Sequence, residues 1–194
     1  MLKIIKCFLI FSVFTFFGCD KHLTSENNSD QNKTIGKTTT VIKSPLEEQC
    51  YNGDIEACFS VGTLAKKSSM TDRAKTFFTR ACDLGNLNGC EELGLIEYDD
   101  KNFKAAKKIL KPLCKANKVN ACFILGLLEH DLKNYKAEKK WFSQACEAMH
   151  LYACLYLGKA EKKSGNLKKA EELFKKTCKQ GEELGCKELE LLKK

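Results

Sequence analysis

Ten cysteines fall on two ladders, and both ladders advance by 32 residues. One runs Cys50, Cys82, Cys114, Cys146 and Cys178; the other runs Cys58, Cys90, Cys122, Cys154 and Cys186. A constant offset of 8 makes C-x7-C the recurring device. Such registration marks an internal repeat, whose units must stack because none can bury its own apolar face. It limits the chain to a quasi-linear array with a sulfur pair built into every step.

Four full units run 54–85, 86–117, 118–149 and 150–181, and a half unit follows from 182. In the third, apolar residues recur at helical spacing in two blocks. Ala121, Cys122, Leu125 and Leu128 form the first block; Ala137, Trp141, Phe142 and Ala145 form the second. The polar turn Lys133-Asn134-Tyr135 separates them, so each unit is predicted to be a hairpin of two amphipathic helices. Gly62, Gly94, Gly126 and Gly158 share one column. Glycine inside a helix costs about 1 kcal/mol against alanine, so its recurrence predicts a close helix crossing. Phe78, Leu110, Phe142 and Phe174 form a bulky column; Ala74, Ala106 and Ala170 form a small one, which Glu138 interrupts. These aromatics read as core rather than as a cofactor box. Pro112 lies inside a predicted helix and is expected to kink it or end it early. The charged final segment reads as a solubilising cap.

Two pairings suit stacked hairpins. Bonds between cysteines 24 apart leave Cys50 and Cys186 alone, whereas bonds between cysteines 8 apart use all ten. The second scheme is expected: Cys50–Cys58, Cys82–Cys90, Cys114–Cys122, Cys146–Cys154 and Cys178–Cys186. Each bond closes a short loop worth roughly 2–3 kcal/mol in the chain-entropy model. Zinc sites place paired cysteines two to four apart, so no metal is expected here, and no cofactor is implied.

Twelve cysteines in 194 residues point to an oxidising compartment. The N-terminus agrees. Lys3 and Lys6 precede the apolar run CFLIFSVFTFF, which is too short for an ordinary membrane span and reads as a signal peptide over residues 1–18. Phe16-Phe17-Gly18-Cys19 resembles a bacterial lipobox, although Phe16 stands where leucine is preferred. Cys19 is the odd cysteine of the mature chain, as a lipid-bearing sulfur would be; a free or intermolecular thiol is the alternative. Residues 19–44 are polar and lack helical periodicity, so they read as a tether. Asp30-Gln31-Asn32-Lys33-Thr34 holds an acceptor sequon at Asn32 with an acid two places before it. Net charge is +8, which suits a lysine-rich soluble surface with a polyanion as the lesser reading. Only Arg73 and Arg80 supply guanidinium groups, and no nucleic-acid recognition motif occurs, so a nucleic-acid partner is not expected.

Gly62, Ala74 and Phe78 resemble the glycine, alanine and aromatic positions of the tetratricopeptide hairpin. The steps Ala81-Cys82 to Gly89-Cys90 and Ala145-Cys146 to Ala153-Cys154 resemble the Sel-one-like repeat, and more specifically the cysteine-rich Hcp family. The resemblance covers residues 50–194. It implies an all-α, right-handed α-solenoid of disulfide-clamped hairpins over 45–194. It also implies export, to the periplasm, a membrane-anchored lipoprotein or the exterior, and contact with host or cell-wall material. The chain departs from that family in its unit length, 32 residues against the usual 36 of that family. Some members are described as weak β-lactamases or penicillin binders. Here no serine begins S-x-x-K, K-T-G is absent, and the three histidines, His22, His130 and His150, form no zinc motif. The enzyme reading therefore rests on the resemblance alone.

The resemblance also places a ligand groove on the first helices. Aligned on the glycine column, its positions are Glu56, Phe59, Thr63, Asn88, Glu91, Leu95, Tyr98, Asn120, Phe123, Leu127, His130, Tyr152, Leu155 and Lys159. Aromatics, amides and charges together suit a peptide groove. Asn88 and Asn120 could clasp a peptide backbone through both ends of their amides, and His130 adds a group that titrates near neutrality. The expected function is an exported, monomeric scaffold that binds a peptide, a protein or a cell-wall fragment, and meets a membrane only through its anchor. Weak β-lactam hydrolysis and a purely structural envelope role are the alternatives.

Overall fold

The computed structural model describes residues 44–192. They form α1 (Pro45–Tyr51), α2 (Ile55–Lys67), α3 (Thr71–Asp83), α4 (Leu87–Asp99), α5 (Phe103–Lys115), α6 (Val119–Asp131), α7 (Tyr135–Glu147), α8 (Leu151–Lys163), α9 (Leu167–Lys179) and α10 (Glu183–Leu192). The signal segment, Cys19, Asn32 and the tether as far as residue 43 lie outside the described residues; Ser44, counted above with the tether, caps α1 by accepting the Glu47 N–H at 3.3 Å. Every described helix, core cluster and disulfide lies within one compact unit that carries its own core.

The 32-residue period is twice 16. From α2 to α9 each helix is 13 residues long and each turn is 3 residues. The middle residue of every turn has positive φ, at Gly53, Ser69, Gly85, Lys101, Asn117, Lys133, Met149, Gly165 and Gly181. This residue lets the chain fold back onto the ended helix. After α2, for example, the Ser69 N–H donates to Lys66 O at 3.0 Å and the Met70 N–H to Ala65 O at 2.9 Å. Those two bonds are the Schellman pattern, and they satisfy carbonyls the helix leaves open. At the other helix ends, Asp54, Asn86 and His150 cap α2, α4 and α8 by accepting from the backbone N–H three residues on.

Packing follows the columns. Consecutive helices pack as antiparallel neighbours, and α4 also meets α2 and α6 directly. The second helices have no comparable contact with one another. The first helices therefore line the inner face of the stack and the second helices its outer face. Within each hairpin the glycine column receives the bulky column. A Cβ at Gly62 would stand 2.6 Å from Phe78 Cδ1, and one at Gly94 would stand 2.5 Å from Leu110 Cδ2. Gly126 meets Phe142 and Gly158 meets Phe174 in the same way. All four bulky residues are fully buried, so the predicted close crossing lies between the two helices of one hairpin.

The five disulfides are Cys50–Cys58, Cys82–Cys90, Cys114–Cys122, Cys146–Cys154 and Cys178–Cys186, with Cα atoms 4.5–4.8 Å apart. Each joins the end of one helix to the first turns of the next, between units rather than inside a hairpin. Two further ties repeat beside them. Arg80 Nε, Gln144 Nε2 and Lys176 Nζ each donate to the carbonyl of a cysteine 30 residues back, at 3.0, 3.4 and 3.4 Å. Glu97, Glu129 and Glu161, on α4, α6 and α8, each accept a lysine from the preceding second helix (Lys75, Lys107 and Lys139) and an amide from their own turn (Asn102, Asn134 and Asn166). One carboxylate thus links three elements at each of these junctions, and Glu129 and Glu161 do so from buried positions.

Pro112 requires a correction: α5 runs its full 13 residues. The ring is solvent-exposed in the last turns, where the lost N–H bond is one of few and the outward face has room for the ring. Helical bonding continues past it, with the Ala116 N–H donating to Pro112 O at 3.0 Å. Pro112 stands in the column of Arg80, Gln144 and Lys176, so its unit forgoes the tie to the cysteine carbonyl as well as one helical N–H bond.

Candidate functional site

On the inner face, where α4, α6 and the start of α8 converge, lies a hollow of about 350 Å³. Glu91, Glu92, Leu95, Asn120, Phe123, Ile124, Leu127, His150 and Tyr152 line it. Leucine and isoleucine form its floor. Asn120 Nδ2 donates to Glu91 Oε1 at 3.0 Å across the α4–α6 step, so the polar rim is already cross-linked. Phe123 forms the centre. Its ring stacks on His150, with centroids 4.4 Å apart and planes at 24°. Phe142 and Tyr156 hold it from behind, each with centroids at 5.8 Å. Tyr152 is about half exposed at the far rim.

His150 is fixed by its cap role. Its Nδ1 accepts the Ala153 N–H at 3.1 Å, which leaves the proton on Nε2. Burial lowers its pKa below the ordinary histidine value, so the ring facing Phe123 is the neutral form at neutral pH.

The hollow thus gathers Glu91, Asn120, Phe123 and Tyr152 from the expected groove, with Leu95 and Leu127. The remaining residues stand elsewhere. Phe59 packs against Phe78 at 5.8 Å in the first unit. Asn88 accepts Lys118 Nζ at 2.9 Å. Because Asn88 and Asn120 each spend one amide end on a neighbouring helix, a two-ended clasp on a peptide would have to displace a bond. Tyr98 donates its hydroxyl to Asp131 at 3.0 Å, and burial together with that carboxylate pushes its pKa up to about 12. His130 Nδ1 lies 3.0 Å from Glu138 Oε1. Glu138, which breaks the alanine column, is buried, and its other oxygen has no hydrogen-bond partner. Lys159 approaches Glu188 of α10 at 3.8 Å. Leu155 also needs correcting: it is 1% exposed and packs with Ala170 and Phe174, with Leu189 and Leu192 of α10 against them. The terminal helix covers the position that is open in the inner units.

Sequence reasoning missed His150, Glu92 and Ile124. For His150 a signal existed. It stands in the column of Asp54, Asn86 and Lys118, the residue before each first helix, and a side chain there caps the helix while overhanging the preceding unit. Among the described residues, no group of three or more His, Cys, Asp or Glu could hold a metal ion.

The tetratricopeptide repeat family matches residues 119–148, which are α6, its turn and α7. Solved structures extend the likeness to most of the helices. MamA from Desulfovibrio magneticus, residues 41 to its end, superposes with a TM-score of 0.58 at 20% identity, over 69% of this chain and 80% of that one. YrrB, described as a TPR protein with an unusual peptide-binding site, gives 0.56 at 20% identity, over 73% and 81%. A tetratricopeptide repeat protein from Parabacteroides merdae gives 0.60 at 19% identity, over 76% and 64%. A search of curated protein sequences found no match. The fold is a tetratricopeptide-like helical solenoid.

Proposed function

We propose that this chain binds an extended peptide or a protein segment in the inner-face hollow between α4, α6 and α8. The observation that carries this reading is the Phe123–His150 stack, a rigid aromatic platform over an apolar floor with carboxylates and an amide at its rim. Such a platform holds an apolar or aromatic side chain of the ligand, while Glu91 and Asn120 address its backbone or a basic neighbour. YrrB, similar in fold, is described as having an unusual peptide-binding site, which supports a peptide as the kind of ligand.

The reading extends to location. Five complete disulfides suit an oxidising compartment outside the cytoplasm, and the lipobox-like Gly18-Cys19 suits a lipid-anchored form. The C-x7-C step supports a Sel-one-like, Hcp-related scaffold that works as a monomer at the bacterial envelope or host interface, with cell-wall peptide among the ligands it would meet.

The test is crosslinking capture with oxidised residues 41–194 as bait, comparing wild type with Phe123→Ala and Tyr152→Ala. A captured peptide or protein that both variants lose supports the groove. Capture that both variants retain in full overturns it. Mass spectrometry of the mature protein from its native cells reads Cys19 directly, and an unmodified N-terminal peptide containing Cys19 ends the anchor proposal.

A further inference from the structure

The outer face carries a second, unrelated surface. On α5 the solvent-exposed positions are Lys104, Lys108, Lys111, Pro112 and Lys115. Their spacing of 4, 3 and 4 places the four lysines on one ridge of the helix. The helix contains no acidic residue. Like charges three and four apart on a helix repel by a few tenths of a kcal/mol per pair, so the ridge is destabilising unless something outside the chain neutralises it. Nothing inside does. Lysines on the inner and junction faces are tied to carboxylates, such as Lys75 to Glu97, Lys107 to Glu129 and Lys139 to Glu161. None of the four ridge ammonium groups has an ion pair or hydrogen bond among the described residues.

The ridge is most basic on α5. The same column holds Asp72, Thr76, Thr79 and Asp83 on α3, Lys136, Lys140, Ser143 and Glu147 on α7, and Lys168, Glu172, Lys175 and Lys179 on α9, so only α5 carries four lysines and no acid there. At its N-terminal end the ridge borders a hollow of about 660 Å³ whose lining includes Lys101, Phe103, Lys104 and Lys108 together with the Lys75–Glu97 ion pair. Lysine is a point charge on a flexible stem. Arginine forks and stacked aromatics, which nucleic-acid recognition uses, are missing from the ridge. The surface lies on the outer face of the stack and extends from α5 to α7, the second helices of two successive units. A linear polyanion is held best in a groove that touches it from two sides, while an outward-facing basic surface meets a flat one.

We infer that the α5 ridge is a peripheral docking surface for an anionic phospholipid bilayer. The lysine ammonium groups contact headgroup phosphates and the inner-face hollow points away from the membrane, free for its own ligand. No described helix is long and apolar enough to cross a membrane, so attachment through this surface is electrostatic and reversible. It is independent of the lipid at Cys19 and of the peptide groove.

Vesicle co-sedimentation of oxidised residues 41–194 tests this, with phosphatidylcholine vesicles prepared with and without phosphatidylglycerol. Each lysine near an anionic surface contributes about tenfold or less. Wild type is expected to bind only the anionic vesicles, and less as salt rises. K104Q/K108Q/K111Q/K115Q is expected to weaken binding roughly a hundredfold or more. K66Q/K67Q/K162Q/K163Q removes the same charge from the first helices and is expected to leave most of the binding intact. Circular dichroism checks folding, and the half-variants K104Q/K108Q and K111Q/K115Q, each expected to lose roughly tenfold, serve if the quadruple variant does not fold. Absence of binding to anionic vesicles overturns the inference. So does equal loss in both quadruple variants, which would show net charge alone, or ridge-dependent binding to a sulfated polysaccharide with vesicles untouched.

Discussion

His150 Nδ1 accepts the Ala153 N–H at 3.1 Å while the other side of its ring lies on Phe123, so one side chain both starts α8 and completes the inner-face platform. Its protonation state therefore bears on stability and on the groove together. The folded pKa is depressed by burial. The unfolded chain, with a histidine pKa near 6.5, thus takes up the proton first. His150 contributes its full share of stability above that pH, and the share is lost as pH falls below about 6.5. His150→Asn keeps a capping acceptor without a titrating ring. Urea midpoints measured from pH 7.5 to 5.5 should fall less in the variant than in wild type; parallel curves would show that His150 does not titrate in this window.

Glu161 predicts a second, more acidic limb. Burial alone would raise its pKa, but hydrogen bonds from Asn166, Lys169 and Lys139 outweigh burial and hold it down to about 2. Its stabilisation is present above the unfolded value near 4.5 and disappears as pH falls from there toward 2. Glu161→Gln should cost roughly 2–3 kcal/mol at pH 7, because it leaves two lysines without their shared carboxylate. The gap to wild type should close near pH 2. Chemical denaturation at pH 7, 4 and 2.5 checks both parts.

Gly126 and Phe142 predict a steric coupling. A Cβ at Gly126 would meet the Phe142 ring, which is fully buried and has nowhere to go. Gly126→Ala gains about 1 kcal/mol in helix propensity and loses more to overpacking, for a net destabilisation of about 1–2 kcal/mol. In the double variant with Phe142→Leu the losses should be less than additive. Equal and additive losses would place the crossing elsewhere.

Met149 predicts a gain. It sits at φ 65 between α7 and α8 and is 62% exposed, so its side chain contributes little packing. Met149→Gly relieves left-handed strain and should stabilise by about 0.5–1 kcal/mol after the entropic cost of glycine. Gly165→Ala, at φ 80 in an equivalent turn with open space around its Cα, should destabilise by a similar amount. Thermal melts of the pair give opposite shifts if turn strain is the cause.

Much of the fold could be read from the chain because a repeat averages out local noise. One unit's apolar pattern is ambiguous, but four copies in register make the hairpin and the glycine column plain; the turn read at Lys133-Asn134-Tyr135 falls one residue earlier, at 132–134, and Tyr135 opens α7. Pro112 misled because a propensity rule treats every helical position alike, while the ring stands on an exposed ridge. Leu155 misled because the groove positions assume another open unit beyond, whereas α10 closes that end. Glu91, Asn120, Phe123 and Tyr152 were found by alignment of the columns, but His150 was not, since a capping residue falls outside the helical period that defines them.

The sequence alone determined the period, the helix type, the registration of cysteines and the division of each unit into a first and a second helix. These follow from spacing, which is a one-dimensional property. Only the tertiary structure decided which side chains from different units share a place: the Phe123–His150 stack, the Glu161 junction and the bare lysine ridge of α5. Those depend on how far one hairpin is rotated against the next, and that rotation comes from many small packing contacts that no single position records.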